Sequence, residues 1–150
     1  MTTPDRPAPT SAPRHPAAPL SRRLLAMVYE SLLLAGVIAV GFLTPHLLIG
    51  ALLHRLASPG ILWTHLFLLL ALYFLWFWLH GGQTLAMKTW RLRLEDARGR
   101  PVTPFQGMIR YLVAWPSTLL GVGLLWSLFD RDRQFLHDRL AGTRIVALPR

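Results

Sequence analysis

From Leu24 to Leu43 the chain reads LLAMVYESLLLAGVIAVGFL, twenty residues with one charged side chain, Glu30. At a helical rise of 1.5 Å per residue such a run covers about 30 Å, the thickness of the hydrocarbon core of a bilayer. A cleaved signal peptide has an apolar run of about 7–15 residues and a small-residue cleavage site. This run is longer, follows the basic flank Ser21-Arg22-Arg23 and has no A-x-A-like site after it, so it reads as a retained first span. A second run, Leu62–Leu79 (LWTHLFLLLALYFLWFWL), gathers Tyr73, Trp76 and Trp78 toward its far end, as an interfacial aromatic belt does. A third apolar segment, Met108–Phe129, is interrupted by Arg110, Pro116, Gly121 and Gly123.

Composition agrees with a membrane chain. Of 150 residues, 53% are hydrophobic and only 15% charged, with mean hydropathy +0.38. An ordinary globular domain carries about a quarter charged residues. Fifteen arginines and one lysine against seven acids leave a net charge of +9. In a soluble protein that excess would point to nucleic acid, but no basic face with stacking aromatics and no known binding module is legible. The basic residues instead flank the apolar runs, and nucleic acid is excluded as a partner. There is no cysteine, hence no disulfide, thiol nucleophile or cysteine-based metal site. The six histidines contain no HExxH, no H-x-H and no i, i+4 pair. No nucleotide loop, nucleophile elbow or glycosidase-type carboxylate pair occurs, so neither an enzyme nor a cofactor or metal is expected.

Between the apolar runs the chain changes character. Residues 1–20 hold six prolines among Ala, Thr and Ser and read as a disordered tail. Thr44-Pro45 is expected to end the first helix, His46–Leu56 to form a short interfacial helix, and Ser58-Pro59-Gly60 a turn. After Gly81-Gly82, residues 89–94 alternate like a strand, and residues 143–148 do the same. Glu95-Asp96, beside arginines in a turn, reads as solvated. A short helix Gln134–Leu140 should end at Gly142 by an ordinary C-cap.

Lysine and arginine number four in the N-terminal flank, one in the first loop, five in the second loop and five in the tail. The first three counts place the N terminus and second loop inside and the first loop outside. A single crossing by 108–129 would put the tail's five arginines outside. About 22 residues are too few to cross twice, but an amphipathic helix broken near Pro116 and followed by a short re-entrant helix keeps both ends inside. Pairing 89–94 with 143–148 requires the same arrangement, and the tail is expected to be cytoplasmic.

Three segments carry a family resemblance. Arg22-Arg23-Leu24-Leu25-Ala26-Met27-Val28-Tyr29-Glu30 resembles the opening of the RDD family of integral membrane proteins, named for one arginine and two aspartates. Arg23 falls on the arginine and Glu30 on the first aspartate. Gly81-Gly82-Gln83-Thr84-Leu85 and Leu92-Arg93-Leu94-Glu95-Asp96 are similar to its post-helix loop. Leu136-His137-Asp138-Arg139-Leu140-Ala141-Gly142-Thr143-Arg144 is similar to its closing motif, with Asp138 on the second aspartate. The resemblance implies an integral membrane domain with a suspected transport role, and it supplies no ligand. Glu30 departs from the pattern by one methylene.

The candidate residues are therefore Arg23, Glu30 and Asp138, with Arg22, His65, His137 and Arg144 as weaker ones. Arg23 and Glu30, seven apart, share a helix face. A glutamate two turns into a span normally faces a bundle interior. Glu30 is either a structural anchor bonded to an arginine of the closing motif or a proton or cation site; His65 is placed to hydrogen-bond it across helices. The fold expected is an all-α membrane protein: two transmembrane helices, a third Pro/Gly-interrupted apolar segment and a small cytoplasmic β-pairing, with residues 21–150 as one domain. The function expected is an accessory or structural component of the inner (plasma) membrane, the alternative being a small oligomeric ion or solute transporter using Glu30. Its partners would be the bilayer and a second copy or other membrane proteins.

Overall fold

The computed structural model describes residues 15–119, 121, 126 and 134–149. Helix α1 runs Leu20–Leu53 and helix α2 runs Pro59–Leu79, both long and apolar enough to cross a membrane. Helix α3 (Leu85–Thr89), strand β1 (Leu92–Asp96), helix α4 (Pro104–Leu119), helix α5 (Leu136–Leu140) and strand β2 (Thr143–Ala147) follow. The most apolar window of α1 and of α2 is 0% buried. Side chains such as Val40, Leu52 and Leu72 stand outward, so these helices are not the core of a water-soluble domain.

The packed interior lies at one end of the helical pair. Ala26, Trp78, Met87, Leu92, Leu94, Tyr111 and Ile145 meet there, against the inner face of the sheet. β1 and β2 are antiparallel, with Leu92 opposite Ala147, Leu94 opposite Ile145 and Asp96 opposite Thr143. The N-terminal flank joins them. Ala17 bridges Val146, the Ala18 N–H donates to the Ile145 carbonyl (3.0 Å), and the Ala147 N–H donates to the Pro16 carbonyl (3.0 Å). Polar segments from before α1, after α2 and after α5 thus converge on one small sheet.

Several expectations need correction. Thr44-Pro45 does not end the first helix. The missing proline N–H is absorbed by a π-helical segment, Ala39–Leu43, whose Ala39 carbonyl accepts both the Thr44 N–H and its hydroxyl (2.9 Å). Residues 46–53 therefore continue α1, and no separate interfacial helix forms; the chain leaves the helix at His54, which is left-handed (φ 49°). The β-pairing exists, but β1 is shifted to 92–96, because Thr84 caps a short helix that claims residues 85–89. The left-handed Arg91 (φ 53°) then turns the chain into the strand. The expected tail reaches into ordered structure, since residues 16–18 pair with β2. Pro116 sits inside α4 without breaking it, and the bend comes at Gly121, φ +66°. The re-entrant half of 108–129 lies outside the described residues.

Gly82 shapes the junction after α2. Its φ is +71°, and a Cβ there would lie 2.5 Å from the Leu94 carbonyl oxygen. In return the Gly82 carbonyl accepts the Leu94 N–H at 2.7 Å. Only glycine lets the two backbones approach this closely.

Candidate functional site

The cavity-facing stripe of α1 repeats at helical spacing: Arg23, Met27, Glu30 and Leu34. Opposite it, α2 contributes Phe74 and Trp78, and α4 contributes Arg110, Tyr111 and Trp115. Together with the inner ends of α5 and the sheet they enclose a cavity of about 420 Å³, apolar along most of its wall and charged toward the sheet.

Glu30 lies on that wall and is held by hydroxyls, not by the arginine expected of it. The Tyr73 hydroxyl donates to one carboxylate oxygen at 2.6 Å, and the Thr84 hydroxyl donates to the other. The Thr84 oxygen also accepts the Met87 N–H (3.2 Å), so one side chain both caps α3 and anchors Glu30. α1, α2 and the cap of α3 are tied at a single carboxylate. Neither Tyr73 nor Thr84 stood out in the sequence: the tyrosine was absorbed into the aromatic belt, and the threonine followed a glycine turn.

Asp138 is wholly buried, and its partner is Arg110 of α4, Nε to Oδ1 at 2.7 Å, not a backbone donor or the basic loop. The guanidinium of Arg110 lies 4.3 Å over the Trp78 ring. The other carboxylate oxygen of Asp138 has no hydrogen-bond partner among the described residues. In the sequence Arg110 stands as an interruption of an apolar segment. An arginine inside an apolar segment asks for an acid, and that was the available signal.

Arg23 is buried, donates through Nε to the Ala18 carbonyl (2.9 Å) and lies 5.5 Å from the Phe135 ring centre. His137 stacks on Phe135, and its Nδ1 stands 3.4 Å from the Ser117 hydroxyl. Burial pushes its pKa down to about 4, with Asp138 pulling it up and Arg110 pushing it down, so the ring is neutral at pH 7. Arg144 faces Glu95 across the sheet at 3.8 Å. Arg22 joins none of the described bonds. His65 does not reach Glu30; it bonds His46 at 2.8 Å.

Glu95 and Asp96 are buried, not solvated. Burial would raise the Asp96 carboxyl, but the Arg100 and Arg98 N–H groups and the Arg100 guanidinium (2.9 Å) outweigh it and hold it below its ordinary range. Asp96 thereby closes the turn that returns the chain toward α4.

The sequence profile of the RDD family matches residues 17–142, most of the chain. The chain belongs to the RDD family. It is also similar to an uncharacterized protein of Rickettsia prowazekii (strain Madrid E), 30% identical over 79 residues, which is 53% of this chain and 44% of that protein. The match thus spans less than half the length of the relative. No solved structure matches the chain at a significant level. In this RDD protein the profile reaches from the N-terminal strand partner to Gly142, and all three family-type charged positions, Arg23, Glu30 and Asp138, lie within it.

Proposed function

We propose that this RDD protein is a non-catalytic accessory or structural component of the plasma membrane, working in the bilayer with a second copy of itself or with other membrane proteins. The observation that carries the reading is the Glu30 carboxylate, both of whose oxygens are occupied by hydroxyls from other elements. A carboxylate so engaged serves as an anchor. Arg110 is paired with Asp138 through a single contact, Nε to Oδ1.

The test is a series at Glu30. Glu30→Leu strands two hydroxyls and is expected to cost about 2–4 kcal/mol, roughly one unmade bond for each. Glu30→Gln keeps one acceptor and offers a donor to the second hydroxyl, so its loss should be smaller, about 1–2 kcal/mol. Glu30→Asp, which restores the residue of the family pattern, should accumulate like wild type. Membrane abundance and thermal stability in detergent read the series. One observation favours transport as a second reading, namely that the cavity wall includes Glu30. Normal abundance of all three variants, with ion flux in proteoliposomes lost in Glu30→Leu and Glu30→Gln, would sink the anchor reading.

The orientation that goes with this reading puts the sheet, and with it the N terminus and tail, on the cytoplasmic side. It is supported by the arginine-rich second loop and tail and by the meeting of all three polar segments at one sheet. A single cysteine, Pro149→Cys in this cysteine-free chain, should resist an impermeant thiol reagent in intact cells and react after permeabilisation. Ready labelling without permeabilisation would reverse the assignment.

A further inference from the structure

The end of the helical pair remote from the sheet holds a second cluster. Gly41 of α1 lets Leu69 of α2 approach so closely that an added Cβ would lie 3.0 Å from a Leu69 methyl. One turn farther, Nε2 of His46 and Nδ1 of His65 stand 2.8 Å apart, across two helices. Phe42 packs edge-on to His46 (5.0 Å between centroids) and tilted against His65 (5.5 Å). The π-helical segment Ala39–Leu43, separated from His46 by Thr44 and Pro45, includes both Gly41 and Phe42. An extra residue in a helical turn re-aims every side chain beyond it, and such segments are frequent at functional sites.

The two nitrogens face each other and join no other described hydrogen bond. With one proton between them they form an N–H···N bond. With both ring protons on the outer nitrogens, Nδ1 of His46 and Nε2 of His65, both lone pairs face the gap between the rings. Tetrahedral coordination at about 2.0–2.1 Å per imidazole puts the nitrogens roughly 3.3 Å apart, so a separation of about half an ångström, with each ring tilted off the N···N line toward a shared ion, converts the hydrogen bond into a chelate. Nitrogen ligands suit zinc, copper and nickel and not calcium or magnesium.

We propose that His46 and His65 form a transition-metal site of the zinc, copper or nickel class, clamping α1 to α2 at the end opposite the sheet, with water or an anion completing the coordination. The neutral tautomers supply both lone pairs, so binding releases no obligatory proton.

The experiment uses the full chain in detergent, titrated with Zn²⁺ and, separately, loaded with one equivalent of Cu²⁺ for electron paramagnetic resonance. His46→Gln and His65→Gln are the variants, because glutamine can keep an interhelical hydrogen bond but offers no basic ring nitrogen. Wild type should bind one Zn²⁺ and gain thermal stability, and its Cu²⁺ spectrum should show two nitrogen ligands. Each variant should remain monodisperse and lose affinity by about a hundredfold, since the second imidazole acts at high effective concentration. Where a glutamine variant does not survive purification, ethoxycarbonylating both rings of the folded wild type with diethyl pyrocarbonate, read by peptide mapping with and without Zn²⁺, supplies the answer. Protection of both rings supports the site. Unchanged affinity in both variants, absence of zinc binding, or equal modification with and without metal would overturn it.

Discussion

Arg110→Met should destabilise the protein by about 3–5 kcal/mol, because it leaves the carboxylate of Asp138 charged and buried with no partner. Methionine fills most of the arginine's volume and keeps contact with Trp78, so the loss reports the charge more than the packing. Asp138→Asn should be milder, since an amide oxygen can still accept from the Arg110 Nε. Combining Arg110→Met with Asp138→Leu should recover much of the loss, as replacing a buried ion pair by apolar groups is often close to neutral. The measurement is the midpoint of thermal unfolding in one detergent for the four proteins. A double variant no more stable than Arg110→Met would show that the pair does more than neutralise itself. Near-wild-type behaviour of Arg110→Met alone would refute the account of Asp138.

The second large effect is expected at Gly82. Alanine there must hold a left-handed φ, which costs about 1–2 kcal/mol, and its Cβ meets the Leu94 carbonyl at 2.5 Å. Relieving the clash also stretches the 2.7 Å bond from the Leu94 N–H to the Gly82 carbonyl, which is worth about 0.5–1.5 kcal/mol. The total, about 1.5–3.5 kcal/mol, should appear as reduced membrane abundance and a lower unfolding midpoint. Gly36→Ala is the control. Gly36 lies within α1, and an added Cβ meets nothing within 4 Å, so the change should be neutral or slightly stabilising. Equal behaviour of the two variants would mean that the α2–β1 junction tolerates far more slack than its geometry indicates.

The two long helices were legible because length and apolar continuity are local properties of a sequence. The family motifs were legible too, with the positions of Arg23, Glu30 and Asp138. What each charge touches was not, because partners come from elements remote in the chain. Glu30 meets Tyr73 and Thr84, and Asp138 meets Arg110, in each case across a fold that must form first. Pro45 misled for a different reason. The donor lost at a proline ends most helices, but one π turn and a threonine hydroxyl supply the alternative bonding here. Glu95 and Asp96 were misjudged because arginines in a turn suggest water. Paired with β2 and returning the chain to α4, the same turn buries both acids.

The three-segment sheet has a consequence for the order in which the molecule is made. The Pro16 carbonyl and the Ala18 N–H are synthesised before both long helices, yet their partners, Ala147 and Ile145, are synthesised after them. Asp138, the partner of Arg110, also emerges late. α1 and α2 can therefore enter the bilayer and find each other while the nascent chain still grows, but the end that holds most of the packed interior stays open until β2 has been made. Until then β1 keeps an open edge, so the last contact of the sheet waits on a strand made after both long helices.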